Sequence, residues 1–125
     1  MNTVVWIAQG LLAVAMLGAG AMKLARSKQK LMASGNMDWT EAFPESQIKG
    51  IGALEVLGAL GLILPAVFDV ATVLVPIAAV GLAVIMLGAI VVHARRKEPQ
   101  MVVANVVLLV LAVVVAWGRF GSYAF

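Results

Sequence analysis

The chain has 125 residues, of which 63% are hydrophobic and 12% charged; soluble domains carry about half apolar and about a quarter charged residues, so a soluble globular enzyme is excluded. Disorder is excluded too, since it requires low hydrophobicity and high charge, and the absence of cysteine removes a disulfide framework, a CxxC redox pair, a thiolate nucleophile and a cysteine metal site. Nine basic residues against six acidic, on a chain with mean hydropathy +1.06 and a pI near 9.7, report membrane orientation rather than a nucleic-acid partner.

Four apolar stretches follow one another, over 3–22, 48–64, 70–92 and 101–118. A helix needs about 20 residues to cross a hydrocarbon core of about 30 Å, with a working range of about 17 to 25. Backbone groups in lipid must be satisfied within the segment, so spans of this kind are helices. The expected fold is all-α: a four-transmembrane-helix bundle, one integral membrane domain over 1–125. The first stretch is preceded by no positive charge and is too long for a secretory signal. Pro65 is expected just past the second helix, Pro76 to start or kink the third, and Pro99 to open the fourth. The connection 24–47 begins basic and then carries Trp39 and Phe43, four apart. That spacing puts both rings on one face of a short helix in the headgroup layer, where amphipathic aromatics partition.

With four spans, the first and third connections share one side of the membrane. They hold Lys23, Arg26, Lys28, Lys30, Lys49, Arg95, Arg96 and Lys97, and the other side holds only Arg119. The excess of basic residues predicts cytoplasmic basic loops and both termini outside the cell (inner) membrane. The Val67–Asp69 turn is short, so the second and third helices are expected to be antiparallel neighbours.

Met16-Leu17-Gly18-Ala19 returns as Met86-Leu87-Gly88-Ala89, and Lys23 then corresponds to His93. Two readings stay open: a helix pair duplicated in the same orientation, giving a parallel repeat about an axis along the membrane normal, or chance recurrence among residues common in membrane spans.

Ionisable groups within spans cost about 2.5 to 3.5 kcal/mol at a helix centre, so each needs a reason. Glu55 lies six residues beyond Lys49, roughly 9 Å deeper at about 1.5 Å per residue. There it must pair, accept hydrogen bonds or take up a proton. Asn105 has a similar depth beyond Pro99, while Lys23 and His93 end the first and third spans on the same side. Every helix thus offers one polar group to one half of the bundle. Whether the four converge depends on helix rotation. Each also has a purely structural reading: Lys23 as a snorkelling end residue, His93 as juxtamembrane charge, Asn105 as interhelical glue, and Glu55–Lys23 as a structural ion pair. Gln9 and Arg119 belong to the opposite half and read as structural, with Arg119 anchored at the headgroups beside Trp117 and Tyr123. Gly52, Gly58 and Gly61 flank Glu55 and let helices approach closely.

The run Ile51-Gly52-Ala53-Leu54-Glu55-Val56-Leu57-Gly58-Ala59-Leu60-Gly61-Leu62-Ile63-Leu64-Pro65 carries a resemblance. With Gly20-Ala21-Met22-Lys23-Leu24 before it, Trp39 in the loop, Met86 to Ala89 with His93, and Asn105 ahead of Leu108-Leu109, the sequence resembles the DoxX-like family of small four-helix membrane proteins over nearly its whole length. The resemblance implies a set of recurrent polar positions that map onto Lys23, Glu55, His93 and Asn105. One branch of that family supplies a membrane subunit of a thiosulfate:quinone oxidoreductase, and an animal branch looks like a chaperone for nicotinic receptor assembly. Redox-associated relatives work with dithiols or with partner enzymes, and a chain without cysteine has no residue to carry the dithiol role.

Three functions compete. The first is an accessory or binding subunit holding a lipophilic ligand, a quinone or a lipid, with Glu55 and His93 bonding its head and Asn105 and Lys23 beside them. The second is a proton-coupled transporter using Glu55, and the third a membrane assembly factor with no ligand. A stand-alone enzyme ranks last, because no nucleophile–base set or metal set is visible and one histidine does not build a usual zinc site. The expected partners are membrane lipids and either further copies of the chain or a larger membrane complex.

Overall fold

The computed structural model describes residues 2–25, 44–121, 123 and 124. The Trp39–Phe43 helix expected in the headgroup layer lies outside the described residues. Four helices follow in order: α1 Asn2–Ala25, α2 Glu45–Phe68, α3 Leu74–Arg95 and α4 Pro99–Phe120. All four are long and apolar enough to cross a membrane, and the described residues contain no strand. The chain is an all-α four-helix membrane bundle.

Each helix packs mainly on its sequence neighbours, and α1 closes the ring against α4. The α1–α2 and α3–α4 connections share one end, called here the basic end. Both termini and the α2–α3 turn share the other, the terminal end.

The buried face of each helix follows a spacing of three and four residues. On α2 it is Ile48, Gly52, Glu55, Ala59 and Leu62, and on α3 Val75, Ala79, Leu82, Met86 and His93. That stripe is the seam of shallow-angle helix packing. The opposite faces are equally apolar: Leu54, Leu57, Leu60 and Leu64 on α2 and Val103, Val107, Val110 and Val113 on α4 are all exposed. Such faces suit lipid, which is as apolar as leucine.

Glycine sets the closest approaches. A β-carbon on Gly20 would stand 2.6 Å from the Gly52 carbonyl oxygen and 2.8 Å from a Val56 methyl. Only hydrogen fits there, so α1 and α2 meet backbone to backbone. Between the two hairpins, Gly58 faces the Leu82 side chain and Gly118 faces Val5. Both contacts join the hairpins toward the terminal end. Toward the basic end the hairpins leave a cavity.

The prolines act differently from one another. Pro99 is the first residue of α4, and Pro76 sits in the first turn of α3; neither position has an intrahelical bond to lose. Pro65 does not end α2, contrary to the sequence expectation, because the helix continues to Phe68. Proline removes one ladder bond, whereas leaving the helix in hydrocarbon would expose several backbone groups. The end comes at Asp69, left-handed at φ 52° with its N–H donating to the Pro65 carbonyl. At the end of α3, Lys97 takes the left-handed position at φ 58°. The Glu98 N–H bonds the His93 carbonyl at 3.0 Å and the Lys97 N–H that of Ala94 at 3.1 Å. This is the Schellman closure of a helix, and it folds the Glu98 carboxylate back over His93.

Candidate functional site

A cavity of about 420 Å³ lies among the four helices toward the basic end. Its walls include Met16, Ile51, Met86, Met101 and Leu108, and its polar groups are Lys23, Glu55, His93 and Asn105. The four residues singled out by depth therefore share one chamber, one from each helix. All four are buried, with Glu55 2% and Asn105 8% exposed. The volume falls within the range of about 300 to 1,000 Å³ found for small-molecule sites. A second hollow, between α3 and α4 at the terminal end, is lined by Leu87, Val113, Trp117 and Phe120 and has no charged side chain.

Local packing explains how each group arrives. Lys23 Nζ donates to Glu55 Oε1 at 2.7 Å. The Gly20–Gly52 contact lies one turn away and brings the two backbones close enough for that reach. Lys49 turns its ammonium onto the end of α1, donating to the Lys23 carbonyl at 3.0 Å and the Leu24 carbonyl at 2.9 Å. A cation at a helix C-terminus satisfies orphan carbonyls and complements the helix dipole. Two lysines thus fix the end of α1, one through its side chain and one at its backbone.

His93 meets Glu98 through Nδ1 at 3.1 Å, and Arg96 Nε donates to the same carboxylate oxygen at 3.2 Å. The His93 bond, with lesser help from charge attraction to His93 and Arg96, holds the Glu98 carboxyl below its ordinary range. An ionised carboxylate accepts, so Nδ1 of His93 carries the proton in that bond. Sequence reasoning missed Glu98. The turn that folds it back is signalled only by Pro99, which restricts the residue before it to extended backbone.

Asn105 differs from its three neighbours. Its Nδ2 is buried and has no hydrogen-bond partner among the described residues. Buried polar groups are satisfied in the great majority of cases, so this amide on a cavity wall is an exception.

The polar groups at the terminal end form a separate cluster. Gln9 donates to the Leu62 carbonyl, tying α1 to α2. Arg119 Nε donates to Gln9 Oε1 at 3.0 Å, and its Nη1 to Asn2 Oδ1 at 2.7 Å and the Tyr123 carbonyl at 2.8 Å. The guanidinium carbon also stands 4.9 Å from the Trp6 ring centre, within cation–π range. Arg119 is therefore not anchored at the headgroups as its sequence position suggested: it is 4% exposed and turned inward. A guanidinium in lipid is stabilised by acceptors, and Gln9, Asn2 and the chain end supply them. This cluster clasps the two termini together and leaves the cavity to the other four residues.

Among the described residues no three His, Asp or Glu side chains gather as metal ligands. The two copies of the repeated motif occupy equivalent places: Met16, Ala19 and Lys23 line the cavity from the first hairpin, and Met86, Ala89 and His93 from the second.

The model of the DoxX-like family matches residues 7–115. The chain belongs to the DoxX-like family. No curated protein and no solved structure matches it. The matched stretch of this DoxX-like protein contains Lys23, Glu55, His93 and Asn105 and stops short of Arg119.

Proposed function

We propose that this DoxX-like membrane protein is an accessory or binding subunit that holds a lipophilic molecule, a quinone or a lipid, with its head at the polar end of the cavity. One observation carries the reading: each of four helices delivers one buried polar side chain to a single chamber whose other walls are apolar. Residues serving only as packing glue bond across helices, whereas Asn105 Nδ2 bonds nothing among the described residues. In this reading both termini lie outside and the basic connections in the cytoplasm, so the cavity opens to the inner leaflet. Self-association or docking into a larger membrane complex would use faces where a β-carbon on Gly10, Gly18 or Gly81 meets open space.

The test is extraction of the protein with its native lipid and mass spectrometry of what accompanies it. One lipophilic species should accompany the wild type at near-equal molar amount and be depleted in Ala89→Leu, which enlarges a wall residue. The same lipid profile in both proteins would overturn the reading.

A further inference from the structure

We propose that the cavity selects an uncharged amphiphile, one whose head is a hydroxyl or carbonyl oxygen recognised by the Asn105 carboxamide. The inference rests on the ligand-binding reading above and narrows it to a chemical class.

The argument is one of charge and commitment. Lys23 is held by Glu55 at 2.7 Å and His93 by Glu98 at 3.1 Å. Each basic group on the wall is therefore already matched to an acid. A phosphate or ammonium head entering the cavity would lose its water and meet no uncommitted counter-charge among the described residues, which is the costly case for a buried ion. The Asn105 amide is neutral, 8% exposed, and without a partner at Nδ2 among the described residues. A carboxamide offers two donors and an acceptor, so a hydroxyl or carbonyl oxygen completes it and a charge adds nothing. The ion pairs act as walls and positioning elements, and Asn105 is the contact residue. The walls around the tail are adaptable, since Met16, Met86 and Met101 all face the chamber and methionine repacks around irregular shapes. Selection accordingly falls on the head and not on the tail.

The experiment uses three probes with one tail: dodecanol, dodecylamine and dodecyl phosphate. The full chain, labelled at its methionine methyls and side-chain amides, is placed in phosphatidylcholine nanodiscs and titrated by NMR. The methyl signals of Met16, Met86 and Met101 should shift with dodecanol at about tenfold lower concentration than with either charged probe, equivalent to about 1.4 kcal/mol. The Asn105 amide signal should move with them. Asn105→Leu should keep the methyl response and lose the preference for dodecanol. Equal or tighter binding of a charged probe, or an unchanged preference in Asn105→Leu, would overturn the selection while leaving the cavity a lipophile site. Methyl signals that respond to no probe would overturn the cavity reading itself and the selection with it.

Discussion

Lys23 and Glu55 are 32 residues apart in sequence and 2.7 Å apart in the bundle, both buried. Removing one partner of such a pair strands the other charge, at a cost of about 3–5 kcal/mol. Lys23→Met and Glu55→Gln should therefore each lower thermal stability in micelles by that order, while the double variant loses much less than the sum. Additive losses would show that the two side chains do not interact. At the other wall, the carboxylate form of Glu98 is favoured in the folded state, chiefly through His93. A depressed folded value means stability that is present above the ordinary value near 4.5 and is lost as pH falls through the folded one. The stability advantage of wild type over Glu98→Gln should accordingly shrink from about pH 6 to about pH 3. A constant difference across that range would mean that the His93–Glu98 contact is absent in solution.

At the scale of helices, the α1–α2 seam depends on two glycines. A β-carbon on Gly20 meets backbone oxygen at 2.6 Å, and one on Gly52 meets the Lys23 β-carbon at 2.8 Å and the Gly20 carbonyl oxygen at 2.9 Å. Backbone does not yield as a flexible side chain does, so overpacking here should cost about 1–3 kcal/mol. Gly20→Ala should lower the thermal midpoint and loosen the Lys23–Glu55 bond. Gly88→Ala, where an added β-carbon meets nothing within 4 Å, should leave the midpoint unchanged. Equal effects of the two substitutions would rule out the close approach. The spans themselves were legible in the sequence, because their lengths and apolarity leave the backbone no other state in lipid. Their ends were less so. Pro65 lies inside α2 because one lost ladder bond is a smaller penalty than unwinding in hydrocarbon, and periodicity does not rank those two costs.

For the molecule as a whole, the proposed orientation rests on the sequence count of eight basic residues in the first and third connections against Arg119 on the other side. The structure sharpens that asymmetry, since Arg119 is consumed by Gln9, Asn2 and Tyr123 and presents no charge to a headgroup layer. A protein without native cysteine makes the measurement direct. Thr3→Cys and Lys97→Cys, each a single cysteine at an exposed position, should label from opposite sides of the membrane, Thr3→Cys from outside. Labelling of both from one side would contradict the three membrane crossings, α1 to α3, that separate the two positions.

Composition and segment length alone determined that this is a four-helix membrane protein, and depth alone selected Lys23, Glu55, His93 and Asn105. Both follow from the bilayer as solvent, which forces helices and makes every buried polar group conspicuous. Rotation of the helices was decided only by the tertiary structure. In a soluble bundle the apolar stripe marks the inner face, but here leucine and valine cover the lipid face as well, so hydrophobicity does not point inward. Small and polar residues do, as Gly52, Glu55 and Ala59 show on α2, and only when the helices pack does that stripe acquire partners. The inward turn of Arg119, the fold of Glu98 over His93 and the Asn105 amide left without a partner among the described residues all belong to that level. The first depends on which side chains from distant segments arrive within about 3 Å, the reach of a hydrogen bond, the second on the left-handed turn at Lys97, and the third on helix rotation.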